Sequence, residues 1–156
     1  MLTPTSPKLS ESGIWPMVTS SPTVAGYGAV GAAGIPPYAI QDICCVTKAY
    51  SSAVGAGEFV SEILDEDEAQ ALRLHGGDKG EFGATTGRPR RCGWLDLVVL
   101  REMVRLGDPT SMALTKLDVL TGIKDLKVCV AYEYEGKVMQ YPPQTPRGLD
   151  NVKPVF

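Results

Sequence analysis

The sequence predicts an α/β fold: a partial mixed sheet with flanking helices and a C-terminal antiparallel hairpin. Three observations carry that expectation. Two helical stretches, 61–75 and 95–106, alternate with short strand-like runs. The run 126–134 sets Val128, Val130 and Tyr132 at every second position among smaller or polar neighbours, the pattern of a strand. Glu135-Gly136 then turns the chain into a second run at 138–141, which supplies the hairpin.

In chain order, residues 1–12 read as a disordered leader, because they are polar and proline-containing and offer nothing to bury. The Ser/Thr/Gly-rich stretch 18–34 reads as loop and short helix, ended by Pro36-Pro37. Residues 39–50 fit a short helix or a strand, with Ile40, Ile43 and Val46 as the apolar positions. The 61–75 helix carries Glu62, Asp65, Glu66, Asp67 and Glu68 early, where the dipole favours them, and Arg73 and His75 late, with Gly76-Gly77 to stop it. The 95–106 helix places Leu95, Val98, Val99, Glu102 and Met103 at i, i+3, i+4 spacing over a broad face that implies burial. Asp108-Pro109 turns the chain into a short buried strand at 111–115.

Composition narrows the function classes. The 44% hydrophobic content supports one buried core, and a net charge of −3 gives no field for nucleic acid. The apolar stretch 24–40 is interrupted by four glycines and two prolines, so it does not cross a bilayer as a helix. Cys44, Cys45, Cys92 and Cys129 have no metal-ligand spacing and read as reduced, buried thiols of a cytosolic protein. Gly26 to Gly31 spell GxGxxG, but no strand precedes them and Pro36-Pro37 cut short any helix that follows, so no dinucleotide site is expected.

Chemistry concentrates at GATTGRPRRCGWLD, residues 83–96. Arg88, Arg90 and Arg91 around a proline resist burial, since an unpaired guanidinium costs several kcal/mol to desolvate. Forked donors beside the Thr85 and Thr86 hydroxyls suit the oxygens of a carboxylate or phosphate. The competing reading is a surface basic loop paired with the acidic helix. Arg91 is expected to be structural and to pair with Asp96. Further on, Thr115-Lys116-Leu117-Asp118 resembles the guanine-reading NKxD motif, with Thr for Asn. An aspartate there accepts from the ring N–H and exocyclic amine of guanine, and the lysine stem lies along the base. Adenine has no such donor pair, so the wrong base leaves the carboxylate unmet.

Taken with WPMVTSS, GIPP, KAYSSAVGAGEF, KVCVAYEYEGK and the final VKPVF, these motifs resemble the adenylosuccinate synthetase family of purine biosynthesis. The resemblance spans 13–156 and implies part of a larger, P-loop-like GTP-dependent ligase domain in a cytoplasmic homodimer, with a strand at 42–49. The family joins L-aspartate to inosine monophosphate (IMP) using GTP and Mg2+. By the resemblance, Thr19 and Arg88 meet IMP. Ala84, Thr85, Thr86, Gly87, Arg88, Pro89 and Arg90 hold aspartate. Arg90, Lys116, Leu117 and Asp118 take GTP, and Val54 touches the nucleotide. The arginine loop and Asp118 are expected to converge on one pocket.

Two positions depart from the family pattern: Pro22 stands where the family has Asn, and Glu58 where it has proline. The family's glycine-rich phosphate loop, its catalytic aspartate and its magnesium ligands have no counterpart in this sequence, and His75 does not match the catalytic histidine. The implied role is recognition without catalytic residues, and with little or no independent ligase activity. The alternatives are a non-catalytic guanine-nucleotide-binding module and a gene remnant that does not fold.

Overall fold

The computed structural model describes Gly34 and residues 36–76, 80–143 and 148–156. The 1–12 leader, Thr19 and the 26–31 glycine motif lie outside the described residues. The described chain is mixed α/β. Strand β1 (Cys44–Lys48) pairs in parallel with β4 (Ser111–Thr115). Strand β3 (Arg91–Asp96) is central to a second sheet, antiparallel to β2 (Tyr50–Ala53) and parallel to β5 (Val128–Cys129). In the third sheet, β6 (Ala131–Tyr134) lies antiparallel between β7 (Lys137–Met139) and β8 (Lys153–Val155). Helix α1 (Glu66–His75) precedes β3, and α2 (Leu97–Gly107) follows it. Within the ambiguous 39–50 segment residues 44–48 are the strand β1, Ala39 ends a short 3-10 turn, and Ala49, whose N–H bonds to Thr115 O at 2.8 Å, joins β1 to β2.

Both helices begin later than their periodicity predicts, because an aspartate caps each. Asp65 accepts from the N–H groups of Asp67 and Glu68, both at 3.0 Å, and so starts α1 at Glu66 rather than Ser61. Residues 61–63 instead run along β3: Trp94 N–H reaches Ser61 O and Ile63 N–H reaches Cys92 O, each at 2.9 Å. Asp96 accepts from Val98 N–H at 2.9 Å and Val99 N–H at 3.1 Å, leaving Leu95 and Asp96 in β3. The predicted 126–134 strand divides at Val130, whose N–H bonds Val155 O at 2.8 Å, so its two halves serve different sheets. Glu135 (φ 50°) and Gly136 (φ 74°) both take positive φ, the geometry of a two-residue hairpin turn. The return strand starts at Lys137, one residue earlier than expected.

One core cluster joins Tyr50, Ile63, Ala69, Leu72, Cys92, Trp94 and Val119, clamping α1 onto the β2–β3 pair. A second holds Val98, Cys129, Tyr132 and Leu149 beneath α2. Full burial of a side chain such as Leu72 stabilises by about 1.5–3 kcal/mol. Glu102 does lie on the buried face of α2, but it is charged and pairs with Arg105. The β4 strand is less buried than predicted, since Met112 and Leu114 are exposed, as is Val46 on β1. A parallel pair is ordinarily covered on both faces. This one has no third strand among the described residues.

Gly93 sits where β3 meets residues 59–61. A Cβ there would lie 2.5 Å from the Phe59 ring and 2.6 Å from Ser61 O. Gly93→Ala is expected to destabilise the chain by about 1–3 kcal/mol, the range for overpacking. A thermal melt checks it, and an unchanged midpoint would show that the strand relaxes freely.

Candidate functional site

The arginine loop is a tight hairpin. Arg90 N–H bonds Glu81 O at 2.9 Å, Gly83 N–H bonds Arg88 O at 2.8 Å, and Gly87 N–H bonds Gly83 O at 2.8 Å. Gly87 takes φ +64°, and a Cβ on Gly83 would lie 2.8 Å from Thr86 Oγ1, so both glycines are set by the turn. Ala84, Thr85, Thr86, Gly87, Arg88 and Pro89 are exposed around the tip. Their hydroxyls and the Arg88 guanidinium are therefore presented outward rather than used in the core.

The three arginines have separate fates. Arg88 is exposed and makes no ion pair among the described residues. Arg90 NH1 donates to Glu81 Oε2 at 3.1 Å, while its Nε is buried without a hydrogen-bond partner among the described residues. Arg91 grips Glu62 with two donors, and its NH1 also reaches Gly57 O at 2.6 Å. Arg91 is structural as expected, but its partner is Glu62 and not Asp96. Five residues apart on one strand, Arg91 and Asp96 face opposite sides and lie about 16 Å apart along β3. Asp96 is committed elsewhere, capping α2 and accepting from Tyr132 OH at 2.5 Å.

A cleft of about 470 Å³ is lined by Lys48, Tyr50, Val54, Arg90, Asp96 and Tyr132, among others. Val54 stands 72% exposed at its rim. Glu81, 4% exposed, gathers the cationic side of this region. It accepts from Lys48 Nζ at 2.8 Å and from Tyr50 OH at 2.5 Å. Lys48 Nζ also reaches Ser52 Oγ at 2.6 Å and stands 4.7 Å above the Tyr50 ring. Burial alone would raise the Glu81 carboxyl, yet the Lys48 and Tyr50 hydrogen bonds outweigh it and hold it below its ordinary value. Burial, followed by the Glu81 hydrogen bond, pushes the Tyr50 phenol well above its ordinary range. Tyr50 is therefore a neutral donor at physiological pH.

Lys116, Leu117 and Asp118 follow β4 directly. Thr115 Oγ1 donates to Thr47 O at 2.9 Å, fixing the end of the strand, and Lys116 turns the chain at φ 65°. Val119 is buried in the first core cluster, while Asp118 and Leu117 are exposed. The Asp118 charge is felt by the Tyr50 phenol. Of the loop residues 84–90 and the TKLD residues 115–118 only Arg90 lines this cleft, and Asp118 does not share it with the loop. Lys48, Tyr50 and Glu81 were not singled out by sequence. The available signal was an acidic residue two positions before an arginine-bearing turn.

Among the described residues no group of three or more His, Cys, Asp or Glu is placed to hold a metal ion. No helix there is long and apolar enough to cross a membrane.

The adenylosuccinate synthetase family model matches residues 10–156. The synthetase of Oleidesulfovibrio alaskensis is 53% identical over 146 residues, covering 94% of this chain and 33% of the relative. That of Thermodesulfovibrio yellowstonii is 48% identical over the same shares. A solved structure, the fully ligated adenylosuccinate synthetase from Plasmodium falciparum, superposes with a TM-score of 0.76 at 34% identity, covering 90% of this chain and 33% of that one. The chain therefore spans about a third of the length of the curated relatives it matches.

Proposed function

This chain belongs to the adenylosuccinate synthetase family, and from that membership we propose that it is the substrate- and guanine-recognition portion of a GTP-dependent ligase. The reaction it serves joins L-aspartate to IMP. Thr19 and Arg88 are assigned to IMP, with Val54 against the nucleotide. Ala84, Thr85, Thr86, Gly87, Arg88, Pro89 and Arg90 are assigned to the aspartate carboxylates, and Arg90, Lys116, Leu117 and Asp118 to GTP. Magnesium, a cytoplasmic location and a homodimer belong to the same reading.

The observation that carries it is Arg90. Its guanidinium lines the cleft, about a third exposed, with one terminal nitrogen engaged by Glu81 and the other, Nη2, without a hydrogen bond among the described residues. A guanidinium with spare donors beside Lys48 suits an anionic ligand, because charge-assisted hydrogen bonds are roughly twice as strong as neutral ones. These residues contribute by holding reactants in place, and orientation is itself worth several kcal/mol of a bimolecular barrier.

A second reading is favoured by the β1–β4 pair, which has no third strand among the described residues and exposes Val46, Met112 and Leu114: guanine-nucleotide binding without turnover, until a polypeptide equivalent to the rest of the relatives' length covers these strands. One experiment tests both. The chain is given IMP, aspartate, GTP and magnesium while adenylosuccinate formation is followed, and GTP and ATP are titrated separately. The expected result is binding that favours GTP, with no turnover. Robust turnover would overturn the recognition-only role, and equal affinity for the two nucleotides would overturn the guanine assignment.

A further inference from the structure

Glu81 lies outside every ligand assignment above, yet more of the site converges on it than on any assigned residue. Its backbone forms the base of the arginine hairpin: Glu81 O accepts from Arg90 N–H at 2.9 Å, and Glu81 N–H donates to Arg73 O at 2.7 Å. Arg73 Nε closes the same junction by donating to Arg90 O at 3.0 Å. Its buried carboxylate divides its oxygens between elements. Oε1 accepts from Lys48 on β1 and Tyr50 on β2, and Oε2 accepts from Arg90 on the loop. Lys48 in turn stands opposite Thr115, the residue before Lys116-Leu117-Asp118. One carboxylate thereby connects the anion-binding hairpin to the strand pair that ends in the guanine-reading segment.

An ordinary structural ion pair needs one partner. Two cations and a neutral phenol on one carboxylate leave a local surplus of one positive charge, and the carboxylate fixes one terminal nitrogen of Arg90 while its Nε has no partner among the described residues. We propose that Glu81 is a positioning residue: it holds Arg90 in the orientation and register with Asp118 that a guanosine triphosphate requires. The inference rests on the reading that Arg90 and Asp118 take GTP.

The test must separate positioning from charge, because removing a carboxylate beside two cations by itself strengthens anion binding. Inorganic triphosphate serves as the probe that reads charge without register. Glu81→Gln is expected to weaken GTP about tenfold, as for one misplaced charge-assisted hydrogen bond, with triphosphate bound equally or more tightly. Glu81→Asp, which keeps the charge, should recover part of the GTP affinity. Tyr50→Phe, which removes one donor to the carboxylate and keeps the ring in the core, should cost GTP about threefold; it carries the test if Glu81→Gln does not melt cooperatively. Unchanged GTP affinity, or parallel losses for GTP and triphosphate, would overturn the proposal. If the parent chain shows no preference for GTP over ATP, it is the guanine reading that fails. The clamp is then decided by the Arg90 Nε–Hε resonance, expected to shift and broaden in Glu81→Gln; an unmoved resonance would overturn it.

Discussion

Asp118→Ala is expected to weaken GTP binding by about a hundredfold and to leave ATP binding where it was, abolishing the preference between them. The carboxylate is assigned two hydrogen bonds, to the ring N–H and the exocyclic amine of guanine. Each bond to a charged group is worth about 1.5–3 kcal/mol, so losing the pair costs two decades or more at about 1.4 kcal/mol per decade. The fold should be indifferent. Asp118 is exposed, and the bond its segment makes locally, Thr121 N–H to Asp118 O at 3.1 Å, uses the backbone that alanine keeps. Surface changes of this kind move stability by no more than about 0.5 kcal/mol. Competition of GTP and ATP for the variant, alongside its melt, reads both effects. A retained GTP preference in a variant that melts normally would remove Asp118 from the base-reading role. Asp118→Asn refines the result: one amide end still accepts but the other donates toward a guanine donor, so most of the loss should persist.

How far the sequence reaches is clear from these same residues. The short strand 111–115 is read correctly because a turn at Asp108-Pro109 and the TKLD motif bracket it. Its neighbour β1 is ambiguous by periodicity; the family resemblance implies a strand there, and pairing with β4, a contact 67 residues away in sequence, forms it. The β3 strand is missed altogether. Cys92, Trp94 and Asp96 face one side and Arg91, Gly93 and Leu95 the other, but the arginines and glycine hide that alternation among loop signals. Tertiary context decides there, with Trp94 buried against α1 and Arg91 covered by Glu62.

The candidate site follows the same division. The arginines and TKLD are conspicuous because their residue types are costly or selective wherever they stand. Lys48, Tyr50 and Glu81 are ordinary residue types, and their role comes from meeting across three elements. The expected pairing of Arg91 with Asp96 fails for a reason that no composition shows, namely strand geometry. It also leaves Asp96 free for a different and larger task.

Asp96→Ala is expected to destabilise the chain by about 2–4 kcal/mol. Losing an aspartate N-cap costs about 1 kcal/mol, here the two acceptor bonds to Val98 and Val99 N–H. The second loss is Tyr132 OH, which bonds Asp96 at 2.5 Å from a ring only 1% exposed. Stranding that hydroxyl adds about 1–3 kcal/mol. The melting midpoint should fall by on the order of 10 °C. Burial raises the Asp96 carboxyl above its ordinary value despite the bonds from Tyr132, Val99 and Val98, so the charge itself is a cost at this position. Asp96→Asn keeps an acceptor for the cap and removes that cost, and should lose about 1 kcal/mol or less. The decisive comparison is the double variant. With Tyr132→Phe added, no donor is left stranded, and the pair should lose less than the sum of the singles by about 1–2 kcal/mol. Strict additivity would mean that the phenol finds water in the adjoining cleft. The stability of α2 would then be set by the cap alone, and the Asp96–Tyr132 bond would not be what fixes that wall of the cleft.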